Sequence, residues 1–234
     1  MSKGKYASKR SRSSKSLVLV LALVMLITAT VGGTLAWLGD KTETVTNTFS
    51  ASGIDITLLE HEYLADSNTL NEEKDPRPEG NTNYNMVPGW TIPKDPTVTV
   101  LANSEPCYLF VQVEKFENFD TYMSYAIDTG WTQGKETDGV PTTVYYRKVD
   151  TSDADQPFSI LAAGTYAYNS IDYPWAINEL LVKPEITAAQ MKAVTAKPSI
   201  SFTAYAVQYY KNHRDEFAPG EAWELANEMA ITTP

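Results

Sequence analysis

The sequence predicts an all-β protein, a β-sandwich with few helices, that follows an N-terminal export segment. Short stretches of alternating apolar and polar residues recur along the chain, and this is the period of a β-strand. Clusters of Gly, Pro, Asn and Asp separate these stretches at short intervals, as the turns of a sandwich do. Only Thr187–Ala196 has the spacing and caps of a clear helix. Together these patterns favour two antiparallel sheets that pack face to face.

The first 36 residues have the organisation of a signal peptide. Six Lys or Arg residues and no acidic residue precede the apolar run Leu17–Ile27, so the leading end stays on the cytoplasmic side of a membrane. Small residues follow at Thr34 and Ala36, and they predict cleavage between Ala36 and Trp37. An uncleaved anchor is the alternative, because Leu17–Leu38 is just long enough to span a bilayer. In either case we expect membrane contact only through this segment.

The charge of the remaining chain limits its partners. Removal of residues 1–36 leaves 13 basic and 29 acidic residues, a net charge of −16. Such a surface repels nucleic acid and anionic lipid, so neither is an expected partner. The single cysteine, Cys107, cannot form an internal disulfide, and no basic neighbour activates its thiol. We therefore expect Cys107 to be a buried structural residue.

The segment 37–52 has the chemistry of a strand and becomes a free N-terminus after cleavage. Within Lys41–Ser50, threonines alternate with a second face whose apolar members are Val45 and Phe49. Its backbone donors and acceptors can pair with its own sheet or with an exposed sheet edge of another molecule. Residues 53–234 are assigned to the β-sandwich domain.

Several stretches of this domain predict strands. The stretch Leu109–Val113 is apolar on both faces, which is typical of a central strand covered on both sides. Ser199–Tyr210 is the longest alternating stretch, with Ile200, Phe202, Ala204 and Ala206 on one face and Thr203, Tyr205 and Val207 on the other. The predicted strands are Ile54–Leu59, Thr97–Leu101, Leu109–Val113, Ser124–Ile127, Val144–Val149, Phe158–Leu161 and Ser199–Tyr210, and Ala176–Val182 is either strand or helix.

Two helices and one long loop complete the expected domain. Thr187 can cap the helix that follows it, and Gln190 completes a capping box. A short helix at Gly220–Met229 would place Trp223 against the core. Residues 65–85 are polar and rich in turn formers, so we expect an exposed loop there.

A group of motifs around the cleavage site and in the first strands is specific enough to suggest a family. The motifs are a Gly-Gly-Thr-x-Ala patch at 32–36, the aromatic Trp37, Asp40, an Asn-x-Phe pair at Asn47 and Phe49, and a Gly-x-Asp-Ile strand at Gly53–Ile56. The Val87-Pro88-Gly89 turn with its following strand pair, and the late strand at Ser199–Tyr210, agree with them. In these features the chain resembles the TasA/camelysin (CalY) family of exported proteins of Gram-positive bacteria.

The resemblance implies a fold, a processing route and a function. The fold would be a jelly-roll-like β-sandwich with short helices inserted in the connections, and the dedicated signal peptidase SipW would remove the export signal. The protein would be secreted to the extracellular matrix or cell surface as a subunit of biofilm-matrix fibres, which grow head-to-tail by donor-strand complementation. Its partners would be copies of itself, related matrix proteins and, during export, the signal peptidase. The donated strand would include Thr42, Val45, Asn47 and Phe49.

Candidate catalytic and metal sites are scarce in the sequence. The stretch His61–Ala65 begins like the zinc motif H-E-x-x-H but lacks the second histidine. Asp150, Asp153 and Asp155 alternate in a loop that lacks the Gly and the distant Glu of an EF-hand, so a solvated loop is the simpler interpretation. We therefore predict no enzymatic activity and no catalytic, cofactor-binding or metal-binding residue.

Three alternatives to fibre assembly stay open. The N-terminal strand can fold back onto its own sheet and leave a monomer. The domain can also be a surface adhesion module that does not polymerise. The camelysin branch of the family has been classed as a metallopeptidase, and a site that combines His61 with distant carboxylates is the third alternative.

Overall fold

Antiparallel β-strands dominate the fold, and helices are few and short. The computed structural model describes residues 39–42, 53–81, 84–116, 118–194, 197–212 and 214–232. Its strands are β1 (Gly39–Thr42), β2 (Ile56–Leu59), β3 (Tyr63–Leu64), β4 (Thr69–Leu70), β5 (Thr91–Pro93), β6 (Thr97–Val100), β7 (Cys107–Phe116), β8 (Met123–Ser124), β9 (Ala126–Ile127), β10 (Thr132–Gln133), β11 (Val144–Val149), β12 (Pro157–Ser159), β13 (Leu161–Ala162), β14 (Gly164–Tyr168), β15 (Ile171–Trp175), β16 (Glu179–Val182) and β17 (Ser199–Gln208). Its helices are α1 (Phe119–Tyr122), α2 (Ala188–Ala193) and α3 (Pro219–Thr232).

The largest sheet lies at the centre of the protein. Its strands run in the order β1-β17-β7-β11-β10, and each neighbouring pair is antiparallel. β17 pairs with β7 along its whole length, from Ser199 opposite Phe116 to Gln208 opposite Cys107. β17 and β7 are therefore the axis on which the other elements are placed.

Both faces of this sheet are covered, as the two apolar faces of β7 predict. One face packs against the smaller sheets, in a core that includes Ile56, Val98, Leu109, Val111, Phe202 and Ala204. The opposite face packs against α3, in a second core that includes Tyr108, Phe110, Tyr205, Val207 and Trp223. The alternation of the two strands thus divides their side chains between two cores.

The smaller sheets form a second layer on one face of the central sheet. Their strand orders are β12-β6-β2, β5-β16-β8, β13-β9, β14-β15 and β3-β4. Side chains of β2, β5, β6, β12 and β16 enter the same core as those of β7 and β17. β2 is the last strand of its sheet and lies close to β1 and β17.

The helix α3 is fixed to the opposite face of the central sheet by close backbone contact. A Cβ atom added to Gly220 would lie 2.2 Å from the carbonyl oxygen of Asp138 and 3.0 Å from the Cα atom of Gly139, which has φ 76°. Only a hydrogen atom fits in this space. The hydroxyl of Tyr108 adds a hydrogen bond to the carbonyl of Phe217 (3.1 Å), just before the helix. The expected C-terminal helix with a buried Trp223 is confirmed.

The other predicted elements are mostly confirmed, with shifts at their ends. The stretch Ala176–Val182 contains a strand, β16, over its last four residues, of which Leu180, Leu181 and Val182 are all buried. The capping box of α2 is present, because Thr187 Oγ1 accepts from the Gln190 amide (3.2 Å) and Gln190 Oε1 from the Thr187 amide (2.9 Å). The helix nevertheless ends at Ala193, before the predicted end at Ala196.

Two hairpins were not predicted. β3 and β4 pair within the polar stretch 65–85 and its flank, so that stretch is not all loop. β14 and β15 form the second hairpin, which turns at Asn169 and Ser170 with φ values of 50° and 63°. Positive φ at both central residues defines a type I′ turn, which suits the twist of a two-residue hairpin.

Candidate functional site

β1 occupies part of one edge of the central sheet. Gly39 lies opposite Val207 and Thr42 opposite Ala204, within the same chain. This pairing corresponds to the alternative in which the N-terminal strand begins on its own sheet. Thr42 is the one proposed donor residue that the structure describes. The other residues of the predicted donor strand and cleavage site lie outside the described residues, and they are Val45, Asn47, Phe49, Thr34, Ala36 and Trp37.

The remaining half of this edge, Ser199–Thr203, has no strand partner on the β1 side among the described residues. Successive residues of an antiparallel strand direct their backbone groups to opposite neighbours. The Tyr209 amide donates to the Pro106 carbonyl (3.4 Å), so the backbone N–H and C=O groups of odd-numbered residues of β17 point to β7. Ile200 and Phe202 therefore direct N–H and C=O groups to the open edge, while their side chains face the core.

The length of the chain prevents its own N-terminal segment from pairing as far as the Ser199 end of this edge. Gly53 accepts a hydrogen bond from Glu105 (2.7 Å), at the end of β7 that pairs with Gln208. Continuation of the β1 register would bring Asn47 opposite Ser199. From there the chain must return along about 30 Å, the length of β17 at about 3.3 Å per residue. The six steps to Gly53 reach at most about 22 Å, so the Ser199 end cannot be covered in this way.

A groove follows the open half of the edge, and we call it the edge groove. It consists of two adjoining cavities of about 280 Å³ and 200 Å³ that share Asn81, Lys94 and Ile200. Its walls are mostly apolar and include Leu58, Pro96, Phe202, Tyr84, Met86 and Leu180. An apolar groove beside an open strand suits an extended peptide, whose backbone pairs with the strand while alternate side chains enter the groove.

The edge groove contains a buried ion pair. Lys94 Nζ lies 2.6 Å from Glu60 Oε2, and the two side chains are 7% and 9% exposed. The second carboxylate oxygen accepts the backbone amide and the Nδ2 group of Asn81, each at 3.0 Å. Tyr84 covers the ammonium at 5.6 Å from its ring centre. Burial, with the nearby Glu60 charge, raises the pKa of the Tyr84 phenol, so this group stays neutral at physiological pH.

His61 is paired with a carboxylate on the neighbouring loop. Its Nδ1 atom lies 2.6 Å from Asp95 Oδ2, and its amide donates to Asp95 Oδ1 (3.0 Å). Both residues line a polar depression of about 620 Å³, with Glu72 and Glu179 on its rim. In the described part of the chain, no group of three or more His, Cys, Asp or Glu is arranged to hold a metal. His213 lies outside that part, and the metallopeptidase alternative stays a hypothesis.

The carboxylates of the 150–155 loop bind groups of the protein itself. Asp153 Oδ2 accepts the amide of Asp150 (3.2 Å), within a turn of 3-10 helix. Asp155 Oδ1 accepts the amide of Ala102 (2.8 Å) and so joins this loop to the end of β6. The alternating acids therefore organise the loop backbone.

Cys107 begins β7 and is fully buried, as expected. Burial raises the pKa of its thiol to about 12, from an ordinary value of 9.0. Because the thiolate is the nucleophile, the folded protein presents almost no reactive form at neutral pH. Cys107 is therefore part of the core.

We expect Cys107 to resist alkylation in the folded protein and to react fast in urea. The raised pKa also predicts that stability falls as pH rises from about 9 towards about 12, because only the unfolded thiol ionises in that range. Mass spectrometry after iodoacetamide treatment, with and without urea, measures the first effect. Cys107→Ala is the unlabelled control, and fast labelling without urea would contradict the burial.

Comparison of this chain with protein-family models, curated proteins and solved structures finds no match. No helix in the described part of the chain is long and apolar enough to cross a membrane. The apolar run Leu17–Ile27 lies outside that part. Function is therefore inferred from the open edge and the edge groove.

Proposed function

We propose that this chain is a secreted structural protein whose copies assemble head-to-tail into extracellular biofilm-matrix fibres. In this proposal the chain is a jelly-roll-like member of the TasA/camelysin family. Cleavage between Ala36 and Trp37 frees the N-terminal strand of each copy. The freed strand then pairs with the open Ser199–Thr203 edge of the next copy. The residues that it contributes are Thr42, Val45, Asn47 and Phe49.

The observation that carries the proposal is an open strand edge whose Ser199 end the chain is too short to cover. Ile200 and Phe202 each present a backbone donor and acceptor there, beside an apolar groove. An uncovered edge of this kind is a template for a strand from another molecule. Because the donated strand and the receiving edge are different surfaces, each added copy presents a new edge, and the assembly stays open.

The spacing of the apolar residues in the N-terminal segment matches the edge groove. Val45 and Phe49 are four residues apart, which corresponds to about 13 Å along one face of a strand. Ser199–Thr203 has the same length, and both cavities adjoin Ile200 within it. The β1 register would place Val45 opposite Ser201, on the face away from the groove, so the donated strand must pair one residue out of that register. One apolar side chain can then enter each cavity while the backbones pair.

The pairing of β1 with its own sheet is compatible with assembly. β1 covers only Ala204–Val207, so a donated strand can bind first to the open half of the edge. It can then extend along β17 as β1 of the receiving copy leaves. The net charge of −16 of the cleaved chain opposes close approach of the copies, so salt should favour assembly by screening this charge.

The experiment compares the cleaved protein, residues 37–234, with a variant that lacks residues 37–50. We expect the cleaved protein to form filaments, seen by electron microscopy and pelleted by centrifugation, and the variant to stay monomeric. Circular dichroism and thermal unfolding establish that both proteins are folded. A synthetic peptide of residues 37–50 should bind the variant, and a matched peptide with Val45→Asp and Phe49→Asp should not.

Two results would overturn the proposal. Filaments formed by the shortened variant would show that the N-terminal strand is not the connecting element. A cleaved protein that stays monomeric at every concentration, with its N-terminal peptide unable to bind in trans, would favour a monomeric domain or an adhesion module instead.

A further inference from the structure

The buried ion pair of the edge groove belongs to a group of three side chains with complementary chemistry. Lys94 Nζ binds one oxygen of Glu60 (2.6 Å), and Asn81 Nδ2 binds the other (3.0 Å). An amine, a carboxylate and an amide are therefore held together, and one carboxylate contacts both nitrogen atoms. Lys94 and Asn81 also line the same two cavities.

Hydrogen bonds to the side-chain amide of Asn81 make its carbonyl carbon, Cγ, more electrophilic. Its Oδ1 atom accepts the backbone N–H of Tyr63 (2.8 Å) and an N–H of the Arg77 guanidinium (3.3 Å). Two donors on a carbonyl oxygen withdraw electron density from its carbon, and they stabilise the negative charge that forms on the oxygen during nucleophilic attack. The nitrogen of the same amide faces Glu60, which can protonate it as a leaving group.

We propose that Lys94 and Asn81 form an intramolecular isopeptide bond, with Glu60 as the proton carrier. Glu60 takes a proton from the Lys94 ammonium, and the freed lone pair attacks Asn81 Cγ while the C=O electron pair moves to Oδ1. Glu60 then transfers protons from Nζ to Nδ2. The Cγ–Nδ2 bond breaks as the C=O bond re-forms. One C–N bond is made, one is broken, ammonia leaves as ammonium, and Glu60 is unchanged; no oxidant or cofactor is required.

The buried group of Lys94, Glu60 and Asn81 differs in its exposure to water from a similar group on the surface. Lys74 Nζ lies 2.9 Å from Glu62 Oε2, and Asn71 Nδ2 lies 3.0 Å from the same oxygen, so the three residue types recur. There the Lys side chain is 68% exposed and the Glu side chain 33%. At the surface, water solvates both charged groups and competes with the amine for the amide carbon, whereas the Lys94 and Glu60 side chains are largely shielded from water. We therefore expect reaction at Lys94 and not at Lys74.

The bond would link the loop that follows β4 to the end of β5, directly beneath the edge groove. The chain has one cysteine and so has no internal disulfide with which to close a loop. A cross-link between Asn81 and Lys94 would restrict the unfolded chain in the way that a disulfide does. The inference is independent of fibre assembly, because it concerns contacts within one copy.

The test is the mass of the purified folded chain, followed by peptide mapping. We expect a mass lower by one ammonia than the sequence requires. Chymotrypsin cuts after Tyr84 and Trp90, between the two linked residues, and should release a two-chain peptide that joins Asn81 to Lys94. Lys94→Arg and Glu60→Gln should each restore the full sequence mass. Lys74→Arg, the matched surface control, should keep the deficit.

Three results would overturn the proposal. They are a wild-type mass equal to that of the sequence, a deficit that persists in Lys94→Arg, or a deficit that maps to Asn71 or to a cyclised Asn81 without Lys94. Peptide mapping of the wild-type chain decides the question even where a variant does not fold. Circular dichroism of Glu60→Gln separates loss of the bond from loss of the fold.

Discussion

Replacement of Ile200 by proline is expected to abolish polymerisation and to leave a folded monomer. The Ile200 N–H points to the open edge, so proline removes a donor that the incoming strand needs without removing a bond to β7. Proline is tolerated in edge strands at positions of this kind. Centrifugation and electron microscopy of the cleaved protein measure assembly, and circular dichroism measures the fold.

The matched control for this variant is Ile200→Val. Valine keeps the backbone donor and a β-branched side chain in the edge groove, so filaments should form as in the wild type. Binding of the 37–50 peptide to the Ile200→Val and Ile200→Pro variants, each also lacking residues 37–50, gives a second readout that does not require filaments. Normal assembly by folded Ile200→Pro would show that copies do not meet at this half of β17.

Replacement of Trp223 by alanine is expected to cause the largest loss of stability, about 3–5 kcal/mol. Trp223 is buried between α3 and the central sheet. The centre of its ring lies 5.5 Å from that of Phe110 and 5.2 Å from that of Tyr205. Its removal leaves a cavity and weakens the attachment of the helix. For a domain of this size the melting temperature should fall by roughly 10 °C, measured by thermal unfolding.

The control for Trp223→Ala is Glu224→Ala, one position along the same helix and exposed to solvent. This change should alter the free energy of unfolding by less than about 0.5 kcal/mol. A double variant with Phe110→Ala should be less destabilised than the sum of the single variants, because the two rings contact each other. Equal effects of the changes at 223 and 224 would mean that α3 is not docked as described.

The sequence predicts well what depends on local periodicity. The two faces of β17 follow from alternation alone, with Phe202 in one core and Tyr205 in the other. The capping box at Thr187 and the buried Trp223 are local signals in the same sense. In each case the residues that specify the element lie within a few positions of one another.

The hairpin β14–β15 escapes this kind of analysis because its signals are weak. Its turn uses Asn169-Ser170 rather than Asn-Gly, and Ser170 adopts positive φ against the usual preference. Pro174 lies within β15 and argues against a strand unless the strand lies at an edge. The tertiary context therefore overrides the local preferences here.

The group in the edge groove could not be predicted because its members come from separate parts of the chain. Glu60 follows β2, Asn81 lies in the long connection after β4, and Lys94 follows β5. Charged residues are rarely buried, so Lys94 in a Pro-rich stretch is most simply interpreted as exposed. Only the paired sheets bring the three side chains together.

The ten residues between Thr42 and Gly53 limit how far the N-terminal strand can extend along β17. They are enough for the chain to turn back after β1, but too few for it to complete its own sheet. A longer connection would allow the N-terminal strand to cover the whole edge of its own sheet. Such a molecule would have no open edge with which a neighbour could pair. The tendency of this protein to assemble would then be set by the length of this connection. Insertions or deletions can change that length without any change to the domain.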